Sequence, residues 1–137
     1  MAVFVFTNGY VSIGGYNLSA FVKQVTLRTT HDVIETTAMG ATAKTRIAGL
    51  ADNAMTVEFN QDFAAGTAGV EALIYPLLGT AAAFEVRPTA AVVGTANPKY
   101  TGNALISEWA PIDGSIGELL TTSASWPISG AITKATS

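Results

Sequence analysis

Residues 25–62, VTLRTTHDVIETTAMGATAKTRIAGLADNAMTVEFNQD, constrain the fold more than any other stretch. Val25 and Leu27 alternate with Gln24, Thr26 and Arg28, while Met55, Val57 and Phe59 alternate with Thr56, Glu58 and Asn60. A period of two gives each segment one apolar and one polar face, the pattern of a half-buried strand. Between them, residues 36–50 contain no acid and carry Lys44 and Arg46 as their only charges, among Gly40, Gly49 and several Ala and Thr. Such small residues cannot build a core of their own. Connections longer than about a dozen residues are uncommon in compact domains and are either functional or disordered. A loop that is merely solvated is the plainer alternative.

The remaining sequence reads mostly as strands. Residues 2–7 and 10–13 flank Asn8-Gly9, a strong hairpin signal because such turns need positive φ. Residues 23–30 and 32–37 read as extended, and the strand carrying Met55, Val57 and Phe59 is expected to end near Phe63. One helix is expected over residues 67–79, with Thr67 as N-cap, Glu71 in the first turns, and Val70, Leu73, Ile74 and Leu77 forming one stripe. Pro76 ends or kinks it around Tyr75, and Gly79 closes the turn. Strands follow near residues 82–87, 100–109, 119–126 and 130–134. Many strands with one short helix imply a mainly β domain, a β-sandwich or barrel-like fold, rather than βαβ repeats.

Composition adds a requirement for partners. At 137 residues the chain is most simply a single domain, long enough to bury a core. Charged residues make up 12%, half the usual share of about 25%, while hydrophobic residues reach 49% and mean hydropathy is +0.37. A lone globule would have too little polar surface. No run approaches the roughly 18 apolar residues of a spanning helix, so no membrane segment is expected and contacts between subunits are the better explanation. The start, MAVFVFTNGY, lacks the basic and cleavage regions of a secretory signal, so folding in the cytoplasm is expected. With no cysteine, disulfides and thiolate metal sites are excluded. Net charge is formally −3 and the bases are scattered apart from Lys44 and Arg46, which argues against a basic face that grips nucleic acid.

Nothing in the sequence assembles a catalytic or cofactor site. His31 is the only histidine, and Glu35 lies four residues on in a predicted strand, where the pair share a face without converging. Asp113 and Glu118 sit among Pro111, Gly114 and Gly117, where solvated turn carboxylates are expected. Gly14-Gly15-Tyr16 lacks the lysine and helix of a phosphate-binding loop. The chain is therefore expected to be neither an enzyme nor a holder of metal or cofactor.

The order of segments carries a resemblance. YNLSAFVKQVTL precedes the basic loop and AGLADNAMTVEFNQDF follows it, then YPLLGT, FEVRPT, NPKYTG and SASWPISGAITKA. From about Val11 to Ala135 the chain resembles the tail tube proteins of long-tailed bacteriophages. The resemblance implies one tail tube domain over 1–137, with an amino-terminal arm or strand at 1–10, an inter-ring loop at 36–52 and a helix at 67–79. It implies homohexameric rings stacked into a tube, with one sheet of each subunit joining an inner β-barrel. Double-stranded DNA would pass transiently and non-specifically, beside a tape-measure protein, with tail initiator and terminator proteins as further partners. The location implied is the virion tail, after assembly in the host cytoplasm. Lys44, Arg46, Met39 and Ile47 become candidates for contacts between rings, and Glu58, Glu85 and Glu108, expected mid-strand on polar faces, become candidates for the lumen. Each could instead pair with Arg28 or Arg87 on an outer surface. Six copies would carry 6 × (−3) = −18 formal charge per ring, which would repel phosphates if it faced the channel. Alternatives are a tail-completion or secretion-tube ring protein, or a monomeric β-sandwich binding module.

Overall fold

The computed structural model describes residues 5–66 and 69–137. Seven strands run in the order β1 (Tyr10–Ile13), β2 (Tyr16–Asn17), β3 (Val22–Glu35), β4 (Arg46–Asn60), β5 (Ala81–Arg87), β6 (Lys99–Leu105) and β7 (Thr121–Ala135). Between β4 and β5 lie α1 (Val70–Ile74) and a 3-10 turn, Tyr75–Leu77. All pairings are antiparallel, and the sheet order is β2-β1-β5-β6-β7-β4-β3.

This one sheet folds over itself because β7 belongs to two leaves. Thr121 through Pro127 pair with β4, whereas Ile128 through Ala135 pair with β6. Pro127 stands at the last pair with β4, and it has no N–H to extend that ladder. Just beyond, the register with β6 slips between Thr101 and Asn103, and Gly130 takes φ +91 at the slip. The extra residue of a β-bulge bends a strand and increases its twist. Asn53, the β4 residue next to the parting point, is 3% exposed and donates from Nδ2 to the Gly130 carbonyl at 3.1 Å, which ties the fork together.

The core fills the space between the leaves. Alternation along β4 turns Met55, Val57 and Phe59 inward, β5 supplies Ala82, Phe84 and Val86, β7 supplies Ala124 and Trp126, and β1 supplies Val11 and Ile13. Trp126 is fully buried and donates from Nε1 to the Glu108 carbonyl at 2.8 Å, so its one polar atom is satisfied. Helix α1 closes one end with Val70, Leu73 and Ile74, and Trp109 meets Phe59 edge to face at 5.8 Å.

Several sequence expectations change. The tight turn is Gly14-Gly15 (φ +63 and +87), a two-residue loop that sets Ile13 opposite Tyr16; Asn8-Gly9 connects no hairpin among the described residues. Of the expected strand over residues 2–7, residues 2–4 lie outside the described residues and 5–7 are not strand. Residues 23–30 and 32–37 merge into β3, and β4 ends at Asn60 rather than near Phe63. The expected helix over 67–79 is regular only across Val70–Ile74, with Pro76 in the 3-10 turn and Gly79 at φ +86. Thr67, the expected cap, lies outside the described residues; Gly69 occupies the N-cap with no side-chain hydrogen bond. The strand expected over 100–109 stops at Leu105, and those over 119–126 and 130–134 are one strand, β7.

The bend predicts a specific stability cost. A Cβ at Gly130 would meet no atom within 4 Å, so Gly130→Ala is penalised by backbone conformation alone, about 1 to 2 kcal/mol. Gly94, also open but without positive φ, serves as the control, with Gly94→Ala expected within about 0.5 kcal/mol of the parent. Urea midpoints on dilute protein measure both; equal midpoints would mean that the bend does not depend on glycine.

Candidate assembly surfaces

The longest element is the ladder of β3 with β4, which continues past the core as a two-stranded ribbon. Val22 pairs with Phe59 at the base and Glu35 with Arg46 near the tip. Val25 and Leu27 pack against the core, but from Arg28 to Glu35 every β3 side chain is exposed. About eight residues at 3.3 Å each carry the ribbon some 25 Å outward. A register slip between His31 and Val33 places an extra residue on β4 there and adds twist.

The loop itself is short. Residues 46–52, expected within a loop spanning 36–52, are strand, because Ile47, Ala48, Ala51 and Asp52 find backbone partners at Ile34, Val33, His31 and Thr30. Only residues 36–45 connect the strands, and threonines knit their base. Thr36 N–H donates to the Thr45 carbonyl at 2.8 Å, the Thr36 and Thr45 hydroxyls meet at 2.8 Å, and Thr45 N–H donates to Thr37 Oγ1 at 2.9 Å. Gly40 turns the tip at φ +85.

Unpartnered apolar groups mark the ribbon. Val33, Ile34, Ile47, Leu50 and Met39 are 69%, 48%, 58%, 83% and 103% exposed, with Ile34 directly opposite Ile47. Lys44 lies in the connecting loop. Arg46 stands across the ladder from Glu35, so the tip is less purely basic than residues 36–50 suggest, although the two form no ion pair within 4.0 Å. His31 is exposed on the ribbon, its Nδ1 3.2 Å from the Gly49 carbonyl oxygen.

The acidic candidates are dispersed. Glu58 sits on the outer face of the β7-β4-β3 leaf beside Lys23, at 3.6 Å. Its surroundings are hydroxyl-rich: Thr26, Thr56 and Ser125 lie in one row, with Thr56 Oγ1 3.2 Å from Ser125 Oγ. Glu85 is on the outer face of the other leaf, paired with Arg87, whose guanidinium also lies 4.2 Å over the Tyr10 ring. Glu108 is not mid-strand; it follows β6 in an irregular segment, and its Oε1 accepts from Ser125 N–H at 2.9 Å. Glu58 and Glu85 therefore cannot both line one channel formed by a single face.

An apolar cleft opens at the mouth of the sandwich, lined by Phe6, Val25, Leu27, Val86, Tyr100 and Ile132. It lies beside β3, an edge strand whose inward residues have no strand beyond them among the described residues. Among the described residues no helix is long and apolar enough to cross a membrane, and no three of His, Asp and Glu gather as metal ligands.

No family model and no curated protein matches this sequence. Solved structures match the fold. A chain in the virion of a native gene transfer agent particle aligns with a TM-score of 0.65 at 11% identity, covering 85% of this chain and 85% of that one. A chain of a contractile injection system, the PVC sheath-tube complex in its extended state, aligns at 0.69 and 10% identity, covering 98% of this chain and 92% of that one. The chain has the tail-tube fold. A chain of the anti-feeding prophage baseplate, 6-fold symmetrised, aligns with a TM-score of 0.60 at 9% identity, covering 98% of this chain and 97% of that one. At such identities the shared property is the path of the backbone, and residue roles must be argued from this chain.

The geometry predicts graded exchange in the dispersed subunit. Amides of residues 38–44 should exchange fastest, those of 46–49 should be slowed by the ladder, and both should slow further in any assembly that covers the tip. Thr37→Ala removes the acceptor for Thr45 N–H and should spread fast exchange to residues 45–47. Hydrogen exchange read by mass spectrometry checks this; uniform protection across 38–49 in the free chain would contradict it.

Proposed function

We propose that this chain is the repeating subunit of a tail tube, assembling as six-membered rings that stack into a conduit. The observation that carries the reading is the ribbon: a paired ladder extending far beyond its own core, with Val33, Ile34, Ile47 and Leu50 uncovered. An isolated protein gains nothing from ordering such a hairpin, because ordering costs roughly 1 to 2 kcal/mol per residue and little apolar area is buried in return. Neighbouring copies supply the missing contacts.

The sheet supports ring closure in the same way. Its outer strands are β3 and the two-residue β2, so among the described residues a long row of backbone groups on β3 is left without a strand partner. Edge-to-edge joining of copies would pair those groups, and cyclic symmetry would close the sheet into a barrel. Six is supported by the tail of the empty gene transfer agent particle, refined with C6 symmetry, whose fold this chain shares at a TM-score of 0.61.

The conduit would carry double-stranded DNA past a low-charge, acidic wall, with a tape-measure protein inside during assembly and initiator and terminator proteins at the tube ends. The subunit would assemble in the host cytoplasm and reside in the virion tail. Glu58, on a hydroxyl-rich face, and Glu85 are lumen candidates as alternatives, and Glu108 is a third whose carboxylate also accepts from the Ser125 amide. A tube of a contractile injection system is the second reading, favoured by alignment over 98% of this chain with the sheath-tube complex.

Sedimentation with electron microscopy tests the proposal: purified protein should pass from monomer to rings and tubes with sixfold end views as concentration rises. A clean monomer at every concentration and salt, even with a tail initiator present, would sink it. The channel assignment has its own test. Of Glu58→Lys and Glu85→Lys, only the one facing the lumen should slow DNA passage through well-formed tubes, more strongly at low salt where phosphate attraction is least screened. Unchanged ejection in both would remove charge-controlled passage.

A further inference from the structure

The tube reading leaves open where the ribbon tip docks, and two surfaces at opposite ends of β4 answer each other. Thr121, the first residue of β7, pairs with Asn60, and Gln61 Nε2 reaches the Pro111 carbonyl, so residues 111–120 lie at the base of β4, whereas the tip begins at Arg46. Fourteen steps of about 3.3 Å separate those ends by some 45 Å. The tip cannot reach this segment of its own chain.

The basal segment displays apolar side chains on an anchored frame. Ile112, Ile116 and Leu119 are 77%, 106% and 69% exposed. Gln61 Nε2 donates to the Pro111 carbonyl at 2.8 Å, and Trp109 Nε1 donates to Glu71 Oε2 at 2.5 Å. Glu118 N–H donates to the Ser115 carbonyl at 3.2 Å across a turn in which Gly117 takes φ +89, the positive φ a type II turn requires at that place.

Charge separates the two ends. Residues 61–78 and 106–120 contain Asp62, Glu71, Glu108, Asp113 and Glu118 and not one Lys or Arg. Asp62, Glu71 and Glu108 accept hydrogen bonds within the chain, while the carboxylates of Asp113 and Glu118 meet no hydrogen-bond or ion-pair partner among the described residues. The tip carries Lys44 and Arg46 against one acid, Glu35, which stands across the ladder from Arg46 without an ion pair within 4.0 Å, and it exposes Met39 and Ile47.

Resting on the tube reading, we propose that the ribbon tip of one copy docks on residues 111–120 of a second copy in the next ring, with Lys44 and Arg46 against Asp113 and Glu118 and with Met39 and Ile47 against Ile112 and Ile116. The contact joins two different surfaces at opposite ends of one chain. It is heterologous, so it propagates instead of closing between two copies, and it gives the stack a direction. Opposed charges also orient the approach before the apolar groups meet.

Charge exchange tests the pairing. Lys44→Glu with Arg46→Glu, and separately Asp113→Lys with Glu118→Lys, should each leave rings intact but raise the concentration at which tubes appear by about tenfold or more, because a small term is multiplied around each ring. Combining all four changes should return that concentration to within about threefold of the parent. As a second measurement, Met39→Cys with Ile116→Cys in a chain that otherwise lacks cysteine should give a ladder of disulfide-linked chains in oxidised tubes, whereas either change alone gives no ladder. Normal parent tubes without rescue and without the ladder overturn the contact alone. Loss of rings in the reversed variants places it within a ring and overturns the axial assignment, and a parent that never assembles overturns the tube reading and the contact together.

Discussion

The passage of β7 from one leaf to the other is the constraint on which the rest depends. A seven-stranded sheet bearing large apolar side chains on one face must cover that face, and this chain covers it with itself by bending one shared strand. Pro127 ends the ladder with β4, Ile128 begins the ladder with β6, and Gly130 supplies the conformation that lets the strand turn between them. Trp126 stands immediately before the bend, fully buried, with its indole N–H held by the Glu108 carbonyl. Because residues 106–110 must run beside the free edge of β7 to make that bond, Thr122 and Ser125 also find partners there, at Ala110 and Glu108.

Folding the sheet this way leaves β3 at an edge and sends the β3-β4 ladder beyond the core. The base of the ladder is held by Val25 and Leu27 against the interior, but its outer half has no layer to pack on. Backbone pairing and the threonine links around Thr36, Thr37 and Thr45 give it shape, not burial. Part of the chain's high hydropathy has a local place: the ribbon (Val33, Ile34, Met39, Ile47, Leu50) and the basal segment (Ile112, Ile116, Leu119) each carry exposed apolar groups.

How far these features could be read from residues varied with their physical origin. Alternation along the base of β3 and along β4 was legible because period two follows from the pleat whatever the neighbours do. The end of α1 near Tyr75 was legible for a similar reason, since Pro76 lacks an amide hydrogen in any context. The ribbon was not: in residues 46–52 the two large apolar groups, Ile47 and Leu50, stand three apart with no period-two alternation, and the segment is strand because β3 offers it a partner. Asn8-Gly9 looked the better turn, yet Gly14-Gly15 makes the hairpin because Tyr16 and Asn17 return along β1. Glu108 read as a mid-strand acid; the strand ends at Leu105, since residues 106–110 meet the neighbouring edge of β7 through bonds between side chains and backbone, Thr122 and Trp126 donating to the Ala110 and Glu108 carbonyls and Ser125 N–H to the Glu108 carboxylate, instead of a ladder. Asp62, Glu71, Asp113 and Glu118 are far apart in the residue order, and nothing in that order says that their segments meet at the base of β4.

By itself the sequence determined a mainly β domain, the inward residues of its strands, the place where the helix stops and the surplus of apolar surface. These are local or summed properties, set by side-chain period, by proline and glycine geometry, and by composition. Tertiary structure alone decided that β7 serves two leaves, that the basic loop is the tip of a paired ribbon, that Glu58 and Glu85 lie on different faces, and that acidic and basic ends stand far apart. Each depends on which strand lies beside which. Hydrogen bonds between distant segments fix that choice, and no single segment contains it.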